Sequence, residues 1–324
     1  MSAIVIAQDV IKQQLPARRR LPAFRHLATL LGAMIIGAAV LVAIFAPYLT
    51  PHDPFAQDLS QRLIPPVWME GSQPTHLLGT DQIGRDYLSR LIYGTRISML
   101  IGVLTVITSG VIGITLGIIG GFYGGRTDDV VMFLITCRLS IPLILVALTV
   151  VALVGSSLAV VILTLGLLLW DRFAVVARTT TMQVRNLDYI AAAQAAGASR
   201  IHLLLREVLP NIANHLVVVA TLEMALAILL EAALSFLGLG VPPPLPSWGL
   251  MIAEAKEYMF FSPWVIMTPG VALFVLVLGI NLLGDGLRDL LGADMRRCHP
   301  SYRTRFSASP ICVSPSGRPK PCGA

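Results

Sequence analysis

The charged side chains inside the apolar segments are the residues of this sequence whose chemistry matters most. Arg138, Glu223 and Glu231 each lie within or near the end of a long hydrophobic run. An unpaired charge in hydrocarbon costs at least about 2 to 3 kcal/mol, so such residues either line a polar pathway or pair with other groups. The sequence leaves both roles open, and it allows Arg138 to pair with one of the glutamates or to snorkel toward the membrane surface.

The sequence predicts no group of catalytic residues. An intramembrane enzyme needs paired acids, a nucleophile with a base, or an HExxH ligand set, but the six histidines are scattered and mostly lie outside the apolar runs. The sequence also contains no GxxxxGK[ST] phosphate-binding loop. The cysteines are Cys137, Cys298, Cys312 and Cys322. Their spacing is not that of a zinc site, so we expect reduced thiols and no metal site.

The composition places the chain in a bilayer. Of its 324 residues, 55% are hydrophobic and only 13% are charged, which is more apolar material than a soluble core buries. The net charge of +6 is better explained by membrane orientation than by nucleic-acid binding, because the basic residues flank hydrophobic runs. We therefore predict contact with membrane lipid and no nucleic-acid partner.

The apolar runs predict an all-α protein with six transmembrane helices. Each run is close to the ~20 residues that one helix needs to cross hydrocarbon, and the first is long enough to be a retained helix and not a cleaved signal peptide. Only the small polar stretch VGSSL separates the third and fourth runs, so five spans is the alternative. The predicted spans are 27–48, 98–121, 130–153, 157–176, 210–232 and 265–288.

The distribution of Lys and Arg predicts the orientation of these spans. The N-terminal arm (1–26), the 177–209 connection and the segment after 288 are basic, so we expect all three, and both termini, on the cytoplasmic side. The 50–97 and 233–264 segments then lie on the external side. We expect disorder in the tail, 298–324, because it is rich in Pro and Ser.

Three glycines in the second run predict a close helix contact. Gly113, Gly117 and Gly121 are four residues apart, which leaves one helix face without side chains. A neighbouring backbone approaches such a face closely.

The 177–209 connection is longer than a helix bundle needs, and its sequence predicts an ordered elbow. Asn186 or Asp188 would cap an alanine-rich helix, Gly197 would end it, and Ser199 would cap a second helix that begins at Arg200. The exposed alanines are too small to hold the elbow in lipid, yet they permit insertion into a groove. We therefore predict a docking element.

Two external segments carry further patterns. In GTDQIGRDYLSR, helical spacing of Asp81, Arg85, Asp86 and Arg90 predicts salt bridges on a solvated or interfacial helix, with docking of an external binding protein as the alternative. In PPPLPSWG, the prolines predict a stiff loop, and Trp248 is suited to anchoring it at the membrane surface.

The elbow resembles a known motif. AAAQAAGASR followed by EVLPN is similar to the EAA loop of ABC importer permeases, which docks into the cytoplasmic ATPase subunit. Ala191 stands where the family has glutamate, whereas the other motif positions match. The resemblance implies that coupling to the ATPase involves Asp188, Ala191, Ala192, Ala193, Gly197, Arg200, Leu209 and Pro210.

Three other stretches, 76–98, 231–251 and 281–289, resemble one branch of that family, the dipeptide, oligopeptide and nickel permeases, and in particular their C-type subunit. The resemblance covers about residues 27 to 297, which would form the permease domain. The external-loop motif of this branch corresponds to Ser235, Gly238, Gly240, Pro246, Trp248 and Gly249.

The resemblance implies a non-enzymatic permease subunit that moves peptides across the bacterial inner membrane, with nickel or another small solute as the alternative cargo. It implies a second, B-type permease subunit, two cytoplasmic ATPase subunits that hold ATP and Mg, and a periplasmic or extracellular substrate-binding protein. An ion-coupled carrier is the remaining reading, but it predicts midplane charges, which are sparse here.

Overall fold

A computed structural model describes residues 22–297 and the backbone of two short strands in the tail. The N-terminal residues 1–21 and the rest of the tail, including most of the predicted disorder at 298–324, lie outside the described residues. The helices are α1 Pro22–Leu49, α2 Tyr87–Tyr123, α3 Gly125–Leu139, α4 Leu143–Val154, α5 Leu158–Leu168, α6 Asp171–Arg185, α7 Asp188–Ala195, α8 Arg200–His202, α9 Leu209–Phe236, α10 Trp248–Ala255 and α11 Pro263–Arg297.

Shorter elements complete the described chain. Turns of 3-10 helix span Leu59–Gln61 and Lys256–Tyr258, and a π-helical turn, Leu203–Val208, joins α8 to α9. In the tail, β1 Cys312–Val313 pairs antiparallel with β2 Pro319–Lys320.

The protein is a multi-pass membrane protein. Within the described residues, five stretches are long and apolar enough to cross a membrane: Leu27–Leu49, Tyr87–Tyr123, Leu158–Arg185, Arg200–Phe236 and Pro263–Leu290. The predicted straight helix at 130–153 is wrong, because α3 and α4 meet at an angle of 81°. Pro142 lies at this break, and its ring disfavours helix for the residue before it. The count of six holds when this bent pair is one span.

Two predicted boundaries also need correction. The second span begins at Tyr87 instead of 98, since Asp86 caps it through a hydrogen bond from the Ser89 N–H. The fourth span breaks after α5 and continues as α6 to Arg185. Residues 177–185, predicted to belong to the cytoplasmic connection, are therefore helical.

The glycine face of α2 receives α6, as the spacing predicted. A Cβ atom added at Gly113 would lie 2.3 Å from the Trp170 carbonyl oxygen, and one at Gly117 would lie 2.5 Å from the Ala174 oxygen. At Gly121 the Arg178 oxygen would be 2.6 Å away. Such distances exclude any side chain, so α6 lies directly against the backbone of α2.

Two apolar clusters pack the helices at the polar regions described below. Tyr87, Trp248 and Trp264 belong to one cluster, which joins α2, α10 and α11. Phe122 and Leu203 belong to the other, which joins α2, α6, the π turn and α9. The first cluster lies beside the segments predicted to be external, and the second supports the elbow.

Gly117→Leu should lower the free energy of unfolding by at least about 1 to 3 kcal/mol, because the new side chain overlaps α6. Gly37→Leu is the matched control, since a Cβ atom there meets nothing within 4 Å. Thermal unfolding of the purified chains in detergent measures the difference. Equal unfolding temperatures for the two variants would contradict the packing described.

Candidate functional site

The elbow between α6 and α9 has the predicted helix, glycine, helix geometry. Gly197 ends α7 with a φ of +87°. The Ala198 N–H donates to the Ala193 oxygen at 3.1 Å and the Gly197 N–H donates to the Gln194 oxygen at 3.0 Å, which is the Schellman arrangement. Ser199 Oγ accepts from the His202 N–H at 3.3 Å. The predicted roles of Gly197 and Ser199 are confirmed.

The predicted cap of the first elbow helix is wrong. Leu187 occupies the position before α7 and supplies no side-chain hydrogen bond, whereas Asn186 ends α6. Asp188 lies in the first turn of α7, where its negative charge favours the positive end of the helix dipole. The sequence could not separate these roles, because α6 extends further than its apolar run.

Buried side chains hold one face of the elbow and leave the other open. Ile190 is fully buried, whereas Ala191 and Ala192 are exposed. Ala193 is half-buried against the second apolar cluster. The Tyr189 hydroxyl accepts from Asn211 Nδ2 at 3.0 Å. The pKa of Tyr189 is raised, first by desolvation and then by the nearby Glu207 carboxylate. The elbow therefore presents exposed alanines on a fixed base, together with the larger exposed side chains of Leu187 and Ile201.

The elbow continues into the membrane through the π turn. The Leu209 N–H donates to the Leu204 oxygen, one residue further back than in an α-helix. Pro210, in the first turn of α9, has no N–H to donate, so the wider turn lies where the regular hydrogen-bond ladder is interrupted. Leu209 and Pro210 thus lie inside a continuous helical stretch that runs from Arg200 to Phe236. The prediction that the span begins at residue 210 is therefore wrong.

An open cavity of about 590 Å³ lies beneath the elbow. Tyr123, Arg185, Gln194 and Arg200 contribute to its lining. The Arg200 guanidinium lies over the Tyr123 ring, with its carbon 5.7 Å from the ring centre. Arg185 Nη1 donates to the Phe122 oxygen at 2.8 Å, so both arginines tie the elbow region to the end of α2.

The charges within the spans pair with partners that the sequence analysis missed. Arg138 Nη2 lies 3.4 Å from Asp171 Oδ1, and Glu223 Oε1 lies 3.3 Å from Arg172 Nε. Pairing of Arg138 with Glu223 or Glu231 was therefore wrong. Asp171 and Arg172 directly follow the break after α5, and two adjacent opposite charges inside an apolar run were the available signal.

A further ion pair links α6 to α3. Arg178 donates to both oxygens of Asp128, with 2.6 Å between Nη2 and Oδ2. The 122–129 connection had no interpretable charge pattern in sequence. The pairing depends on α6 continuing past its apolar run, which brings Arg178 next to α3.

Glu231 holds the external-loop motif against α9. Its Oε1 atom accepts from the Ser235 and Ser247 hydroxyls, both at 2.8 Å. A Cβ atom at Gly249 would lie 2.6 Å from the Ala232 Cα atom and 3.0 Å from a Glu231 oxygen, and one at Gly240 would overlap Ser235. Glu231 is fully buried, and the contacts found here join α9 to the loop; whether it also lines a pathway stays a prediction.

Trp248 is buried inside the protein, so the predicted role of its side chain as an anchor in the membrane surface is wrong. It is 5% exposed, and its indole N–H donates to the Leu91 oxygen at 3.0 Å. Gly238 has a φ of +82° just after α9, and Pro246 is buried. The motif forms a stiff loop that is pinned to α2 and α9.

The segment 81–90 forms buried ion pairs and not a solvated helix. Asp81 Oδ2 lies 2.5 Å from both Arg85 Nε and Arg90 Nη1. Glu254 Oε2, from α10, lies 2.8 Å from Arg90 Nη1. Asp81 is 0% and Arg90 1% exposed. The Asp81–Arg85 contact was predicted correctly, but Thr80 and Asp86 form an isolated β-bridge, so residues 81–86 are a turn.

Comparison with known proteins identifies the family. Residues 113–297 match the family described as binding-protein-dependent transport system inner membrane component. Residues 17–66 match the N-terminal TM domain of oligopeptide transport permease C. The chain belongs to the binding-protein-dependent permease family. The permease is therefore a relative of membrane transport components.

Curated relatives cover most of the permease. It is 41% identical to the dipeptide transport system permease protein DppC of Haemophilus influenzae, over 83% of this chain and 91% of the relative. It is 40% identical to the di/tripeptide transport system permease protein DppC of Pseudomonas aeruginosa, over 87% and 93%. The glutathione transport system permease protein GsiD of Pectobacterium atrosepticum is 37% identical, over 84% and 88%.

A solved structure shares the fold. A chain of the MetNI methionine ABC transporter, in inward facing conformations, matches with a TM-score of 0.51 and 19% sequence identity. The match covers 62% of the permease and 96% of that chain.

Asp81→Asn should lower the free energy of unfolding by about 3 to 5 kcal/mol, because it leaves buried Arg85 and Arg90 with Glu254 as their one remaining acidic partner among the described residues. The side chain keeps its size, so lost volume does not contribute. Glu257→Gln, at an exposed position, is the control. Thermal unfolding of the purified permease in detergent tests this, and equal effects of the two substitutions would show that the cluster does not stabilise the fold.

Proposed function

We propose that the permease is the C-type subunit of an ATP-driven importer that moves dipeptides and oligopeptides across the bacterial inner membrane. The exposed alanine face of the elbow carries this proposal, because it offers a partner a groove-fitting surface on a rigid base. The names of the relatives supply the cargo class: those proteins are dipeptide and di/tripeptide permeases at about 40% identity.

The proposal assigns the ATP chemistry to other subunits. Two cytoplasmic ATPase subunits hold ATP and Mg and dock on the coupling elbows, one on this chain and one on a B-type homologue. A periplasmic or extracellular substrate-binding protein delivers the peptide. Both termini are then cytoplasmic, and residues 27–297 form the permease domain.

The contacts of the elbow suggest how force from an ATPase reaches the spans. Movement of α7 passes through Gly197 and Ser199 into the π turn and α9. Ile190 and Leu203 are fully or almost fully buried, so the elbow does not shift without the helices beneath it. Movement of α7 is also transmitted in the other direction along the chain, into α6, which lies against α2. A displacement of the elbow therefore acts on α2, α6 and α9 together.

The structure bears on two features noted in the sequence, the alanine at 191 and the charged segment 81–90. Ala191 is exposed on the elbow, so the absent glutamate removes a contact with the ATPase without disturbing the helix. Docking of a binding protein through Asp81 and Arg90 is disfavoured, because both side chains are buried and already paired. The external loops act in this proposal as a rigid rim.

Gly197→Val should reduce uptake of a labelled dipeptide by about tenfold in a strain that lacks the chromosomal gene. A β-branched residue at positive φ costs about 1 to 2 kcal/mol and changes the angle between α7 and α8. Gly197→Asn is the control, since asparagine adopts this conformation more easily. Immunoblots of membrane fractions should show equal amounts of both variants, and normal uptake by Gly197→Val would contradict the role of the elbow.

Copurification tests the partners. The tagged permease should bring ATPase subunits with it from solubilised membranes, and a chain without residues 191–197 should lose them while it keeps its B-type partner. In the same deletion strain, competition by unlabelled dipeptides, longer peptides or chelated nickel separates the cargo classes. Retention of the ATPases by the shortened chain, or competition by nickel alone, would overturn the corresponding part of the proposal.

A further inference from the structure

Two histidines and an aspartate meet in the segment between α1 and α2. His52, His76 and Asp86 offer ligand atoms that all lie within 4.8 Å of one another. Asp86 Oδ1 lies 2.8 Å from His76 Nδ1 and 3.7 Å from His52 Nδ1. The two imidazole rings are 4.9 Å apart at their centres. These three residues are called the His-His-Asp cluster below.

We propose that the His-His-Asp cluster binds a divalent transition-metal cation of the zinc class. Imidazole nitrogens together with one carboxylate oxygen are ligands that Zn²⁺ prefers, usually as three protein ligands plus water. Bonds of about 2.0 to 2.1 Å in tetrahedral geometry place ligand atoms about 3.3 Å apart. The two separations from Asp86 Oδ1, 2.8 and 3.7 Å, fall on either side of that value, and all three ligand atoms lie within 4.8 Å of one another, so side-chain shifts would bring them to this geometry.

Gln61 supplies the outer contact that a metal-bound histidine requires. His76 Nε2 lies 2.8 Å from Gln61 Oε1, and in the tautomer that carries its proton on Nε2 this nitrogen donates to Gln61. In neutral His76 the lone pair of Nδ1 then faces the Asp86 carboxylate at 2.8 Å. In that tautomer two lone pairs face each other at this distance, and a cation between them would bind both atoms. A proton on Nδ1 accounts for the His76 contact alone, whereas a metal ion would also bind His52 Nδ1, which lies 3.7 Å from the same oxygen.

The two carboxylate oxygens of Asp86 have different partners. Oδ2 accepts from the Ser89 N–H at 2.8 Å and caps α2, which leaves Oδ1 facing the histidines. The Ser89 hydroxyl also accepts from the His52 N–H at 3.1 Å. The cap therefore fixes both the aspartate and the backbone of His52, so two of the three ligands are positioned by the start of a long helix.

The charge around the cluster favours a cation. A cavity of about 320 Å³ beside it is lined by Asp53 and Asp58 as well as by the three ligands. Hydrogen bonds from Ser60 lower the pKa of Asp58, so its carboxylate is ionised at neutral pH. Lys and Arg are missing from the described residues that line this cavity. The cavity is therefore negatively charged, and it gives a cation access to the three ligand residues.

Bound metal would join three points of the segment between α1 and α2. His52 follows α1, His76 lies in the middle of the segment, and Asp86 begins α2. The expected effect is stabilisation of this rim, and the site is independent of the cargo and of the ATPase partners.

Zinc titration of the full-length permease tests the site. The chain is purified in lipid nanodiscs through a tag without histidines, and its cysteines are alkylated so that thiols do not bind the ion. Calorimetry should find one Zn²⁺ per chain at the cluster, with affinity at least about tenfold lower for Gln61→Ala, which removes only the outer contact.

His52→Ala and Asp86→Asn should abolish this binding. His52 is exposed, and asparagine still caps a helix, so both variants should fold. His202→Ala, an exposed histidine in α8, is the matched control and should bind as the wild type does. Zinc should also raise the unfolding temperature of the wild type and the control but of neither ligand variant. Absence of zinc binding in the wild type, or equal binding by all the variants, would overturn the proposal.

Discussion

The contact between the backbones of α2 and α6 is the constraint on which the rest of the permease depends. Lipid provides little hydrophobic drive between helices, so close van der Waals packing must hold them together. Gly113, Gly117 and Gly121 allow that packing because nothing projects from their face of α2. Since α6 leads directly into the elbow, its position against α2 sets where the elbow lies. The second apolar cluster then adds the π turn and α9 to the same unit.

Charged groups in the apolar part of the chain accumulate where helices break. Asp171 and Arg172 follow the interruption between α5 and α6, and they pair with Arg138 and Glu223 from neighbouring helices. A break leaves backbone groups without helical partners, and the carbonyl of Leu168 accepts from the Arg138 guanidinium. The same arginine thus satisfies a backbone group and balances an acid. The oppositely charged partners reduce the cost of burying Arg138, Asp171 and Glu223, whereas Arg172 is exposed.

The segments predicted to be external are organised by a different principle, which is burial of ion pairs and hydrogen-bonded acids under loops. Asp81 and Glu254 surround Arg90, and Glu231 collects two serine hydroxyls. Each acid reaches across at least one loop, so these contacts join the turn at 81–86 and the proline-rich loop to α2, α9 and α10. Rigid loops of this kind provide a fixed rim, in contrast to the elbow, which has an open face. The asymmetry fits a protein that receives force on one side and holds its shape on the other.

Local rules in the sequence determined the membrane class, most of the spans, the glycine contact, and the turn at Gly197 with its Ser199 cap. Each depends on spacing or on one residue's backbone preference, which neighbours in the chain decide. The 81° bend at Pro142, the extension of α6, the partners of Arg138 and the burial of Trp248 needed the tertiary structure. The His-His-Asp cluster did too, since its members are separated along the chain and only the folded loop brings their ligand atoms within 4.8 Å of one another. Pairing between distant residues is set by how helices pack in three dimensions. The sequence shows that Asp171 and Arg172 need partners inside an apolar run, but it does not show which residues those partners are.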